Sequence, residues 1–459
     1  MIEISRARFE VIAAYTRLPG TLMAAEEIRW FEAADGRIVA NIIRDRTDND
    51  FCGIVLGRDK QERFRWIAAT AFFEAADEAF VALTAKIDEL LPNMDEESKQ
   101  GDAKGPPVDF FSPLRKSKQP PNSGFMALRD KEGFSPAKGC IEPMMRWYED
   151  ADGNFVEQFQ TTGFDARIWE LYLFATFTEA GFAIDRKSAV PDYTCWGVAG
   201  EFCAEATTVN PSRDETGALI PPPPIENETQ YQDILRNYLP IKYAGPLTSK
   251  LAKRYWEQPN AAGKPLVFAI QDFHMPMAMT FSRSALPTYL YGNTHAAQRE
   301  PDGSLKIVVT PVETHQWNKK VIPSGFFKLE GAENVSAVIF NASATLSKFN
   351  RIGVLTGFGS KRVRLTRTGV AINLDPNASE PIKFRHEVND AGYTETWIEG
   401  MDVYHNPWAK HPLNPDMLPG AAHHRLLPDG QVLSTSPDWQ PLSSMTSISL
   451  ASDNIQSAV

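Results

Sequence analysis

Cysteine is scarce in this sequence: Cys52, Cys140, Cys195 and Cys203 are the four in 459 residues, and no two are spaced C-x-x-C. That excludes a disulfide framework and a zinc knuckle as the organising principle, and suits reduced core thiols. Long apolar runs are also missing. No stretch of about 18 consecutive apolar residues occurs, and the opening "MIEISRARFEVIAAY" lacks the apolar core and small-residue site of an export signal. The expectation is a cytoplasmic protein with no membrane partner. Positive charge is in deficit, with 47 Lys and Arg against 58 Asp and Glu and a net charge of -11. Sequence-blind coating of nucleic acid is therefore excluded, because it is driven by neutralising phosphates. No repeat of fixed period is visible, which excludes a solenoid.

What is present is enough apolar material, 43% of the residues, for two to three domains. The expected class is α/β in the α+β sense, divided into four segments. Residues 1–91 read as an α+β N-terminal domain. In it Phe73, Ala76, Phe80, Leu83, Ile87 and Leu90 recur at 3–4 spacing and predict a helix over 68–91. Upstream, "GRIVANIIRDRTDNDFCGIVLGRD" predicts two strands around an Asp/Asn turn, and Asp45, Asp48 and Asp50 are read as turn residues, not a calcium loop. Residues 92–124, rich in Pro, Gly, Ser and mixed charge, read as a linker. Residues 125–298 form the central domain, and 299–459 a β-rich C-terminal domain with strand-like "KIVVTPV", "VSAVIFNAS", "KRVRLTR", "AINLD" and "ETWIEGMDVYHN". All eight histidines lie at or beyond His274, and His405, His411, His423 and His424 fall in a loop-like tail, a lesser alternative as a zinc site.

The chemistry concentrates in "FDARIWELYLFATFTEAGFAIDRKSAVPDYTCWGVAGEFCAEATTV", residues 164–209. The first part is a helical pattern that Gly181 would end, and on it Glu170 has Ala166, Leu173, Phe174 and Phe177 as neighbours. A core-facing Glu is explained most simply by a pair with Arg167. Then follow a strand "FAIDR", a strand opening "PD", the hairpin turn "GVAG" and a third strand whose period of two puts Cys203, Glu205 and Thr207 on one face. Carboxylates inside apolar strands cost several kcal/mol unless paired, hydrogen-bonded or bound to a cation. Glu170, Asp192 and Glu205 gathered at one sheet end would repel one another, and hard oxygen ligands of this kind suit Mg²⁺ or Mn²⁺.

Helix with Glu, strand, strand opening "PD", strand with an inner Glu, then helix and strand resembles the PD-(D/E)xK superfamily of restriction-endonuclease-like nucleases over about residues 160–280. The resemblance implies a mixed sheet flanked by helices and an Mg²⁺-dependent endonuclease, a phosphodiester hydrolase, in restriction or anti-phage defence. It implies Asp192, Glu205 and Glu170 as metal ligands. The family's Lys, two residues past the inner acid, falls on Thr207, or on Cys203 if Glu201 is the inner acid. A Lys from a neighbouring helix would replace it. "IKYAGPLTSKLAKRYWEQPN", with Pro246 able to begin a helix and Leu247, Leu251 and Tyr255 as its seam, offers Lys250 first and Lys242 second. In "KPLVFAIQDFH", Gln271 and Asp272 stand at the sheet end where such sites form.

A nuclease of net charge -11 needs local positive surface. Six basic residues against Glu257 between Arg236 and Lys264, with Lys253 and Arg254 foremost, supply one patch. "KRVRLTRT" over 361–368, with Lys361, Arg362 and Arg364, reads as a strand with one basic face. Nucleic acid, DNA ahead of RNA, is the expected partner, with a homodimer or a partner protein besides. The alternative reading is a catalytically inactive nuclease fold with a binding or structural role, which Thr207 and the acidic balance favour.

Overall fold

The structure, a computed structural model, describes residues 1–102, 105–114, 119–150, 153–186, 188–375 and 377–452. Its class is mixed α+β, with an eight-stranded mixed sheet and several antiparallel sheets. Among the described residues no helix is long and apolar enough to cross a membrane. All four cysteines are buried and unpaired with one another.

The large sheet runs in the order Val432–Thr435, Ala422–Leu426, Met401–His405, Ala337–Asn341, Leu266–Asp272, Gly200–Val209, Tyr193–Gly197, Ala183–Asp185. Gly200–Val209 pairs antiparallel with Tyr193–Gly197 across the expected hairpin and parallel with Leu266–Asp272. The parallel step needs a crossover, and the helix Leu239–Leu251 supplies it. Alternation decides what each face buries. Phe202, Ala204 and Ala206 join a core with Trp169, Leu173 and Phe177 of the helix Phe164–Glu179, whereas Cys203 and Val209 join a second core with Tyr243 and Leu247. Glu205 is thus on the face the period of two assigns. Gly181 follows the helix at φ +87°, the left-handed conformation expected of a terminator.

Four strands of this sheet come from residues beyond 299, so the boundary expected at 298/299 does not separate two cores. Parallel pairing of Ala337–Asn341 with Leu266–Asp272 is the reason: a buried strand with two open edges continues the sheet. The histidine-bearing tail is partly strand as well, since His405 lies in Met401–His405 and His423 and His424 in Ala422–Leu426. The C-terminal segment also holds a helix, Leu346–Leu355, that its strand-rich pattern hid. "AINLD" does not form a strand of its own: only Ala371 belongs to Val363–Ala371.

The N-terminal segment is a five-stranded antiparallel sheet carrying the helix Ala76–Leu90. The helix starts later than 68 because Phe64–Ala69 pairs as the fifth strand. Ile38–Asp45 and Phe51–Arg58 form the expected hairpin, with Asp45 accepting the Thr47 N–H in its turn. Residues 92–124 are not a free spacer. Phe110 and Phe111 enter the largest core, and Gln160 donates to the carbonyls of Phe110 and Ser112. Burying each ring contributes roughly 1.5–3 kcal/mol, enough to hold a polar segment down.

The strand Val363–Ala371 lies in a separate three-stranded sheet between Ile382–Glu387 and Pro441–Leu450. Its expected single basic face is corrected: Arg364 is exposed, but Arg367 is fully buried beside Val363 and Leu365. Glu395 and Glu399 draw Arg367 inward at 3.6 and 2.6 Å.

Candidate active site

Asp192 stands just before the strand Tyr193–Gly197, and Glu205 in the middle of Gly200–Val209, and each acid is anchored on the backbone beside the other. The Asp192 N–H donates to Glu205 Oε2 at 3.0 Å, and the Ala206 N–H donates to Asp192 Oδ2 at 2.7 Å. Glu205 Oε1 accepts from the Lys250 ammonium at 2.5 Å and the Tyr255 hydroxyl at 2.6 Å. Glu205 is 2% exposed, so these donors offset a desolvation that would otherwise be prohibitive.

Lys250 arrives from the helix Leu239–Leu251. Pro246 lies inside that helix and does not begin it, because Leu239, Tyr243 and Leu247 bury one continuous apolar face. Leu247, Leu251 and Tyr255 are all buried, as the seam requires, with Tyr255 in the following turn after Arg254. Lys242 goes elsewhere: its Nζ donates to the Asn210 carbonyl at 2.7 Å and Ser212 Oγ at 3.0 Å. Burial depresses its ammonium pKa, and the Asp272 charge opposes that.

Glu170 makes the local pair, with Arg167 Nη1 at 2.7 Å from both of its oxygens, and also accepts the Tyr148 hydroxyl at 2.8 Å. Its charge still reaches Asp192. Burial, then the charges of Glu205 and Glu170, push the Asp192 carboxyl up to about 8, against the opposing pull of Lys250 and the Ala206 N–H. A residue that sequence reading missed, Arg186, lies beside the same acids, buried with its guanidinium 4.0 Å from the Tyr148 ring centre and 4.7 Å from that of Tyr193. Its Nη1 has no partner among the described residues. An Arg one residue past a short strand at its sheet edge carries no signal of its own.

A carboxyl whose folded pKa is raised holds a proton the unfolded chain has lost, so its contribution is complete below the unfolded value of 3.8 and disappears as pH rises to about 8. Without metal, stability is therefore expected to fall across that window, and Asp192→Asn to flatten the slope. Urea unfolding at pH 5, 6, 7 and 8 measures it; parallel curves for the two proteins would refute the raised Asp192.

The remaining expected residues divide. Lys253 is exposed, with its ammonium 5.9 Å from the Tyr255 ring centre, whereas Arg254 pairs with Glu257 at 2.5 Å. Arg364 lies in the other sheet and Lys361 and Arg362 in the turn before its strand, and the three meet the Lys361, Gly357 and Ala451 carbonyls respectively. Glu201 is exposed and paired with Lys264 at 2.9 Å. Gln271 holds the carbonyls of Asn341 and Ala344, and Asp272 Oδ1 meets His274 Nδ1 at 2.8 Å. His405 Nε2 faces His423 Nδ1 at 2.9 Å, and His424 bonds elsewhere.

Among the described residues no three or more His, Cys, Asp or Glu side chains are arranged to hold a metal ion. Arg167 and Tyr148 explain why Glu170 does not complete a triad of ligands. Two carboxylates nevertheless fit Mg²⁺, which keeps several waters and takes one or two carboxylates together with substrate phosphate oxygens. Asp192 Oδ1 has no partner among the described residues, and so remains available. Comparison of the chain with protein-family models, curated proteins and solved structures finds no match.

Proposed function

We propose that the chain is a metal-dependent nuclease that hydrolyses DNA phosphodiester bonds in the cytoplasm, with Asp192 and Glu205 as ligands of Mg²⁺ or Mn²⁺. One observation carries the reading: an ammonium from a separate helix, Lys250, rests on Glu205 beside Asp192, in the region that Thr207 leaves without a Lys. The order helix, three antiparallel strands, helix, parallel strand around these residues supports it, as the arrangement the PD-(D/E)xK resemblance implies.

In this reading Asp192, once deprotonated, would hold the cation, and the Ala206 N–H fixes the carboxylate's orientation. Glu205, held by Asp192 N–H and Tyr255, contributes the second oxygen ligand and keeps Lys250 in place. Lys250 orients the attacking water or meets the charge that develops on phosphate, and Arg186 lends a second positive charge. A cation held there would supply a more acidic water and Lewis-acid stabilisation of the phosphoryl oxygens. Lys253 extends the positive edge toward the polyanion, and a second copy or a partner protein adds contacts.

Calorimetry with Mn²⁺ and cleavage of plasmid DNA test this on the full chain. Lys250→Ala should keep Mn²⁺ binding and lose about 10²–10³-fold in single-turnover cleavage, the range of one preorganised charge-stabilising group. Absence of Mn²⁺ binding by the unmutated protein would move the assignment to the alternative of a catalytically inactive nuclease fold with a binding or structural role, which the complete hydrogen bonding of Glu205 favours.

A further inference from the structure

At the opposite edge of the sheet, three neighbouring strands set Asp402, His424 and Ser434 side by side. His424 is directly opposite both Tyr404 and Ser434 in register, and Asp402 shares the Tyr404 face two residues earlier. His424 Nε2 lies 3.0 Å from Asp402 Oδ1, and His424 Nδ1 lies 2.7 Å from Ser434 Oγ. Asp402 is fully buried and ionised: burial would raise its carboxyl, but Arg283 and His424 outweigh burial and hold it down at about 2. A carboxylate only accepts, so Nε2 carries the hydrogen and Nδ1 presents its lone pair to the Ser434 hydroxyl. Tyr404, stacked on the imidazole with centres 4.7 Å apart, fixes the ring's plane.

This relay opens into a cavity of about 750 Å³ that His424 and exposed Ser434 line together with Arg236, Arg283, Leu235 and Ile307. Arg283 donates Nε and Nη2 to Asp402 at 2.5 and 2.6 Å, and its Nη1 has no partner among the described residues. The cavity therefore joins a polarised hydroxyl, an uncommitted guanidinium N–H group and apolar walls.

We infer that Ser434 is a nucleophile, His424 its general base and Asp402 the residue positioning His424, in a second site that accepts carboxylic esters with an apolar acyl chain. Ser434 Oγ bonds to the ester carbonyl carbon while its proton passes to His424 Nδ1. As the tetrahedral adduct collapses, the carbon–alkoxide bond breaks and Nδ1 returns that proton to the departing alcohol. Water then attacks the acyl-serine, gives a proton to Nδ1, and the acyl–Oγ bond breaks with reprotonation of Ser434, releasing the acid. Arg283 Nη1 faces the negative charge formed on the carbonyl oxygen in both halves.

A short-chain alkyl fluorophosphonate tests the assignment directly, because phosphonylation of Oγ with loss of fluoride needs only the nucleophile and its base. Peptide mass mapping after labelling should place one phosphonyl group on Ser434, and p-nitrophenyl butyrate should be turned over. Ser434→Ala should lose both. His424→Gln, checked for folding by its melting curve, should slow labelling about 10²-fold or more, the span of general-base assistance. Thr435→Ala, on the other face of the strand, should label normally. Absence of label from Ser434, or labelling at an unchanged rate in folded His424→Gln, would overturn the proposal and leave the three residues as a structural hydrogen-bond chain.

Discussion

Glu205→Gln should reduce Mn²⁺-dependent DNA cleavage by about 10³-fold or more, the loss expected when several kcal/mol of metal-borne stabilisation disappear at about 1.4 kcal/mol per tenfold. The substitution is isosteric, so the effect reports charge and hydrogen-bond polarity. Each carboxylate oxygen of Glu205 is an acceptor: Oε1 for Lys250 and Tyr255, Oε2 for the Asp192 N–H. An amide has one acceptor oxygen. If that oxygen keeps Lys250 and Tyr255, the NH2 group faces the Asp192 N–H, donor against donor, and displaces the acid that would share the cation in the proposed site. Lys250 also loses its counter-charge. Mn²⁺ calorimetry should show weakened binding, while circular dichroism stays unchanged. Because the two acids act together, Asp192→Asn combined with Glu205→Gln should cost little more than either alone. Cleavage by Glu205→Gln at the rate of the unmutated protein would remove Glu205 from the site.

How far this site was legible in the sequence depended on range. The strand period placed Glu205 on its face, and the "PD" preceding Tyr193 placed Asp192 beside it, because alternation and a hairpin are local facts. The 3–4 spacing on Phe164–Glu179 gave the Glu170–Arg167 pair for the same reason. Lys250 was reachable only as a candidate, since 45 residues separate it from Glu205 and only the crossover closes the distance. Arg186 and the Asp402–His424–Ser434 chain were not legible. Their partners come from strands whose order in the sheet no local pattern encodes, and Ser434 is one of many serines until His424 is set opposite it. Phe110 and Phe111 mislead in the converse way, as two apolar residues in a polar stretch whose burial depends wholly on the core that receives them.

The same non-locality hid a buried ionic cluster between the helix Leu346–Leu355 and the three-stranded sheet, and removing an anion from that cluster should cost far more than removing a cation. Glu395 accepts Arg351 Nε and Nη2 at 2.8 Å each, lies 3.4 Å from Lys348 Nζ and 3.6 Å from Arg367 Nη1, and is fully buried. Its carboxyl is held well below the ordinary range: burial would raise it, but Arg351, Arg367 and Lys348 outweigh burial. Three cations thus share two carboxylates, Glu395 and Glu399, and Arg367 Nη2 has no partner among the described residues. Glu395→Ala leaves those cations with Glu399 alone and should cost about 3–5 kcal/mol, the range for stripping one partner from a buried pair. Lys348→Met should be neutral or stabilising. It removes the surplus cation, whose own pKa burial depresses, and the Glu399 carbonyl that Lys348 bonds keeps Asn341 as a donor at 3.0 Å. Urea unfolding at pH 7 separates the two. Acid adds a check on sign: a depressed carboxyl stabilises fully above its unfolded value of 4.5 and loses that contribution as pH falls, so the deficit of Glu395→Ala should shrink below pH 4. Equal destabilisation by both substitutions would mean that Lys348 is a required member of the cluster and that its charge is balanced.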